Sequence, residues 1–237
     1  MNPPFVMFGH PHLVALAVTV MVPVALAVLA RRDRGLDPVF RRGLAALLGC
    51  GWAAWYILFA LRGWLTIYNG LPLNLCDWAA FVLILALLNP RQRTYELGYF
   101  WGLGGTVQGL ATPDIRYEFP DAQFIFFFIE HGGIVAALLY LTLGTGMRPT
   151  WASLPRVILA SFGYAGVAAA ADWLLGTDYG FLRGKPENVS LLSLLAPWPW
   201  YIPELVAIGA TSALIYYLPF ALADLARRCP QASAPKT

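Results

Sequence analysis

The chain has 237 residues, 59% of them hydrophobic and 12% charged, with a formal net charge of +3 and a mean hydropathy of +0.61. Soluble domains carry about 25% charged residues, so this composition excludes a water-soluble core and implies an all-α, polytopic membrane bundle. A small charge with no basic run interleaved with aromatics argues against nucleic-acid binding, and Cys50, Cys76 and Cys229 are too scattered for a disulfide framework or a thiolate metal site.

Apolar runs of helix-spanning length fall at about 13–30, 43–61, 71–89, 95–111, 123–146, 154–175 and 200–226. The pattern predicts one seven-helix integral membrane domain over 1–237, with a short disordered tail at 229–237. No Lys or Arg precedes the first run, and Arg31, Arg32, Arg34, Arg41 and Arg42 follow it. That asymmetry predicts an uncleaved first helix with its N-terminus outside. Alternating from there puts 12 basic residues inside and 4 outside, with the C-terminus cytoplasmic. The acids divide the other way, 4 inside and 9 in the outer half. The fourth run is short and Gly-rich (Gly98, Gly102, Gly104, Gly105, Gly109); small residues let helices approach closely, so these glycines are read as packing alone. Between 176 and 199 the chain is predicted to loop outside. It is expected to carry a short interfacial helix at 191–195 and an aromatic belt from Pro197 to Tyr201.

Ionisable groups within spans are costly and usually functional. Here they share one depth. Asn74, Cys76 and Asp77 open the third run, Gln108 closes the fourth, and Glu130 and His131 lie in the fifth. Asp172 closes the sixth run and Glu204 opens the seventh. The expectation is an outward-facing polar chamber, with no matching layer in the inner half. Cys76 is the candidate nucleophile, because a thiol near a helix N-terminus favours its thiolate. The alternative is a buried small hydrophobe, the role expected of Cys50. His131, taken as the one histidine inside a span, is the candidate base, since imidazole titrates near neutral pH; packing against a neighbouring helix is its alternative. Gly132 and Gly133 leave room beside it for a substrate or a helix. Asp77 and Glu130 either orient an imidazole or pair with Arg62 or Arg183. Asn74 and Gln108 are oxyanion donors or interhelical glue. Arg183 and Lys185 either bind a headgroup phosphate or are solvated loop charges. His10, His12 and His131 lack ligand spacing, so neither metal nor other cofactor is expected.

Several strings together resemble a known family: LPLNLCDWAA (71–80), YELGYFWGLGGTVQGLATPDI (95–115), FFFIEHGGIVAALLYLTL (126–143), YGFLRGKP (179–186) and PWPWYI (197–202). They resemble the bacterial YwaF-type integral membrane proteins, which are similar in turn to the eukaryotic transmembrane protein 164, a phospholipid acyltransferase. The resemblance implies an enzyme of the bacterial cytoplasmic membrane. It would move a fatty acyl group between a phospholipid and a lysophospholipid, with the cysteine of LCD, Cys76, and the histidine of EHG, His131, as its catalytic pair. It departs at Asn74, where a histidine often precedes the family's cysteine motif. Two other classes remain open: a proton-coupled solute transporter with Asp77, Glu130, Asp172 and Glu204 as relay, and a non-enzymatic lipid-binding protein.

Overall fold

The structure, a computed structural model, describes residues 3–185 and 191–228. Glu187, Cys229, Lys236 and the expected tail at 229–237 lie outside the described residues. The helices are α1 (His10–Arg32), α2 (Asp37–Leu61), α3 (Leu75–Leu88), α4 (Gln92–Trp101), α5 (Val107–Ala111), α6 (Ala122–Leu143), α7 (Ser153–Leu175) and α8 (Tyr201–Arg228). Among the described residues there is no strand, only an isolated bridge between Pro4 and Tyr117. Each expected apolar run coincides with helical structure. Five helices, α1, α2, α6, α7 and α8, are long and apolar enough to cross a membrane. The third run gives the 14-residue apolar helix α3. The fourth is α4 and α5 joined by a π-helical segment, Gly102–Thr106.

The core lies where α3, α4 and α6 meet. Leu83, Leu87, Tyr95, Ile134, Leu138, Tyr140 and Leu141 are fully buried there. Lipid is as apolar as leucine, so close approach rather than burial as such holds these helices together. Gly98 allows that approach: a Cβ at this position would stand 2.6 Å from the Leu83 side chain. The outer helices instead display large apolar side chains, among them Met21 on α1 and Leu159 and Trp173 on α7. Cys50 belongs with these. It is exposed on α2 rather than buried, because the buried stripe of that helix runs through Leu44, Ala45 and Leu48.

One end of the bundle is rich in arginine, and four of its arginines, Arg34, Arg41, Arg148 and Arg156, tie helices together. Arg34 Nη1 donates to Gly144 O at 3.1 Å. Arg41 pairs with Asp37 at 2.9 Å and donates to Leu87 O at 2.6 Å. Such bonds satisfy the carbonyls that a helix C-terminus leaves open. Arg148 pairs with Asp224 at 2.6 Å. Glu96, 1% exposed, pairs with Arg156 at 2.7 Å. The expectation of no buried polar layer at this end is therefore overturned, since an apolar environment tolerates a buried carboxylate when a cation satisfies it.

Candidate active site

The site begins at the first turn of α3. Asn74 is its N-cap, in extended backbone, and Asp77 Oδ2 accepts from the Asn74 backbone N–H at 3.0 Å. That is the returning half of a capping box. Trp52 Nε1–H, from α2, donates to Asp77 Oδ1 at 3.1 Å. Both oxygens of this buried carboxylate are thus engaged in holding the helix start, and it pairs with neither Arg62 nor Arg183. Cys76 sits within the same turn, half-buried, beside the partial positive charge of the helix N-terminus.

The π-helical segment faces this turn. Its residues, GLGGT, include three glycines, which tolerate the widened backbone. Tyr216, from α8, donates to Leu103 O inside it at 3.3 Å. The widened turn directs Thr106 and Gly105 at the thiol. The buried Thr106 hydroxyl donates to Cys76 Sγ at 4.0 Å, a long contact. A Cβ on Gly105 would be 3.8 Å from the same sulfur. One turn on, a Cβ on Gly109 would lie 3.3 Å from His131 Cδ2 and 3.7 Å from Nε2. These two glycines flank the thiol and the imidazole, a more specific place than general packing.

His131 comes from α6, across from α3. Its Nδ1 is 3.2 Å from Phe127 O. A carbonyl only accepts, so Nδ1 carries the proton and Nε2 keeps its lone pair. Phe127 also stacks on the ring at 4.2 Å and 14°. Cys76 is near enough for the two side chains to interact, without a formed hydrogen bond between them. The third member that orients the imidazole is therefore a backbone carbonyl one turn back, not a carboxylate. Asp77 acts on it only through its charge. Gly132 and Gly133 line an apolar groove of about 490 Å³ among α1, α2 and α6. They admit Thr19 of α1 and Leu48 of α2.

The other sequence candidates are placed elsewhere. The Gln108 amide donates to Thr112 Oγ1 at 3.2 Å, along its own chain. Glu130 has no hydrogen-bond partner among the described residues. Glu204 Oε2 accepts from Ala196 N at 2.9 Å. Contrary to expectation, His10 and His12 also lie within a helix, α1, and His12 is fully buried. Its Nδ1 accepts from Phe8 N and its Nε2 donates to Leu110 O, both at 2.9 Å. His10 is exposed, and no group of three or more potential metal ligands forms among the described residues.

Arg183 and Lys185 fasten a strap. Arg183 Nη1 donates to Asp172 O at 2.9 Å, and Lys185 Nζ donates to Leu195 O at 2.6 Å over the Tyr201 ring. Tyr201 leaves the expected aromatic belt. It is fully buried, and its hydroxyl donates to Phe181 O at 2.6 Å. Asp172 Oδ1 accepts from Thr177 Oγ1 at 2.8 Å and from Tyr179 N at 2.7 Å. Gly180, at φ +66°, turns the strap where a Cβ would meet the Tyr164 hydroxyl. Tyr179 then reaches the loop that precedes α3. Its hydroxyl donates to Ile67 O at 2.6 Å and accepts from Leu71 N at 3.0 Å. Tyr164 holds Leu73 O at 3.0 Å. The YGFLRGKP string therefore clamps the approach to Cys76. The partners of its Tyr179, the Ile67 carbonyl and the Leu71 N–H, are more than 100 residues away, which spacing alone does not reveal.

With this geometry in hand, comparison with known proteins gives one match. The TMEM164 family profile covers residues 7–217. The chain belongs to the TMEM164 family. It is an integral membrane protein of that family, and the matched stretch contains every element of the site from Trp52 to Tyr216. No curated protein matches, and no solved structure matches.

Proposed function

We propose that the chain is a membrane lipid acyltransferase of seven spans, with its N-terminus outside and its C-terminus cytoplasmic, in which Cys76 is the nucleophile and His131 the base. The observation that carries this reading is the pairing of a thiol on α3 with an imidazole on α6 whose Nδ1 is committed to Phe127 O. Nε2 takes the thiol proton. The thiolate attacks the ester carbonyl carbon of a phospholipid, and the C–O bond to the glycerol breaks. The departing lysophospholipid oxygen takes the proton back from Nε2. This leaves a Cys76 thioester. A second lysophospholipid hydroxyl, or water, then loses its proton to Nε2 and attacks the thioester carbonyl. The acylated lipid or free acid leaves, and the returning proton regenerates the thiol. The donor contact of Thr106 on the sulfur and the dipole of α3 both favour the thiolate. No metal or diffusible cofactor enters the scheme.

Carboxylates are less suited to a transport relay. Of the four candidate relay carboxylates, Asp77, Asp172 and Glu204 each accept from a backbone N–H, and Glu130 alone has no hydrogen-bond partner among the described residues. The test is intact mass spectrometry of purified protein incubated with phospholipid. A fatty-acyl adduct that maps to Cys76 and is released by neutral hydroxylamine is expected. Acyl exchange that continues unchanged in Cys76→Ala would overturn the reading.

A further inference from the structure

At the arginine-rich end, opposite the thiol, α4 and α7 leave a concave groove of about 190 Å³, lined by Arg93, Glu96, Leu97, Arg156, Val157 and Ala160. That space is about six water volumes, enough for a headgroup and too small for a whole lipid. Its rim is cationic. Arg93 is exposed and has no hydrogen-bond or ion-pair partner among the described residues. Arg156 gives Nη2 to both oxygens of Glu96, which leaves Nε and Nη1 without a protein partner among the described residues. Glu96 is 1% exposed and neutralises Arg156 in part, while the Arg156 side chain stays 44% exposed beside the groove. Below the rim the walls are apolar. Leu97 follows Arg93 by one turn along α4, and Val157 and Ala160 follow Arg156 along α7. Next to them α7 exposes Ile158 and Leu159, an apolar flank along which acyl chains can lie.

Guanidinium donors at the mouth, an apolar floor beneath and an apolar flank beside it match a single chemistry. We propose that the α4–α7 groove binds the headgroup of an anionic phospholipid, its phosphate bridging Arg93 and Arg156 and its chains running along α7. Planar guanidinia suit phosphate oxygens through paired N–H donors. Basic pockets between membrane helices take anionic headgroups for the same reason. The site does not depend on the proposed acyl-transfer chemistry.

The experiment is native mass spectrometry of the full chain released from detergent micelles, titrated with dioleoylphosphatidylglycerol, dioleoylphosphatidylcholine or inorganic phosphate. Phosphatidylglycerol is expected to be retained at concentrations where phosphatidylcholine is not. Arg93→Gln should weaken retention roughly fivefold, as expected for one arginine beside an anionic lipid, and Arg93→Lys should recover most of it. Arg91→Gln, exposed two residues away and outside the groove, should have no effect. Equal losses in Arg91→Gln and Arg93→Gln would mean diffuse surface charge and overturn the proposal. So would equal retention of the two lipids, or displacement of the bound lipid by inorganic phosphate at matched concentration.

Discussion

Two histidines flank the short helix α5 from different neighbours, and they are bonded in different ways. His12, on α1, uses both ring nitrogens on backbone, accepting from Phe8 N and donating to Leu110 O. It is sealed from solvent and tethers the N-terminal segment to α5. His131, on α6, lies against Gly109 and uses one nitrogen on Phe127 O. Its second nitrogen is left for Cys76. His12 is fully buried and His131 only partly, and what most separates a structural histidine from a candidate base is the number of nitrogens already engaged. A base needs a lone pair that the fold has left open.

The sharpest way to break this comparison is to remove each ring. His131→Ala is expected to slow formation of the Cys76 acyl adduct about 10²–10⁴-fold, the usual worth of a positioned general base. Stability should change little, since only one bond to a carbonyl already within a helix is lost. His12→Ala should do the reverse. It orphans the buried Leu110 carbonyl, at about 1–3 kcal/mol, and frees the part-buried Phe8 N–H, while adduct formation per folded molecule persists. Thermal unfolding in detergent beside adduct kinetics by intact mass separates the two. The opposite pattern would exchange their roles.

Next in size is a pair of glycines on one face. In Gly109→Ala the new Cβ stands 3.3 Å from His131 Cδ2, inside ordinary contact, so the ring must shift. A misplacement of this kind costs up to about a hundredfold in rate. In Gly105→Ala the Cβ is 3.8 Å from the sulfur, an ordinary contact, and the rate should hold. Both substitutions remove a helical glycine and so leave stability level or raise it by up to about 1 kcal/mol. A loss of activity in Gly109→Ala without a loss of stability is the expected result. Equal effects in the two variants would deny that the imidazole depends on the Gly109 approach.

Much of this was legible in the residues, and the gaps have physical causes. Polar groups inside apolar runs stand out against their surroundings, so Cys76, Asp77 and His131 were visible without a structure. Thr106, Gly105 and Gly109 were not. The π-helical segment changes the angular register after Trp101, so a 3.6-residue period no longer says which face those residues present. His12 reads as a residue beside a helix, because nothing local announces an acceptor at Leu110. Arg183 and Lys185 read as headgroup ligands because their partners are carbonyls, and every residue has a carbonyl. Glu96 is buried at the arginine-rich end, and only Arg156, 60 residues on, explains why.

Tyr179→Phe tests the strap that the sequence concealed. It removes one hydroxyl that donates to Ile67 O and accepts from Leu71 N, and the ring remains. A loss of about 1–3 kcal/mol is expected by thermal unfolding, because the Leu71 N–H and the Ile67 carbonyl each lose a partner. Adduct formation should slow less than in Gly109→Ala, since the phenol acts on the loop before α3 and not on the reacting atoms.

The smallest effect belongs to the cap itself. Asn74→Ala removes the N-cap side chain of α3 at a cost of about 1 kcal/mol. The returning bond from the Asn74 N–H to Asp77 Oδ2 belongs to the backbone and survives. Trp52 still holds the other oxygen of Asp77. The first turn should therefore stay in place with its dipole directed at Cys76, and adduct kinetics should remain near those of the unmodified chain while the unfolding midpoint falls. If adduct formation instead collapsed with the small loss of stability, the Asn74 amide would have to contact the reacting carbonyl. The oxyanion role set beside Gln108 from sequence would then return to Asn74 alone, because Gln108 is turned to Thr112.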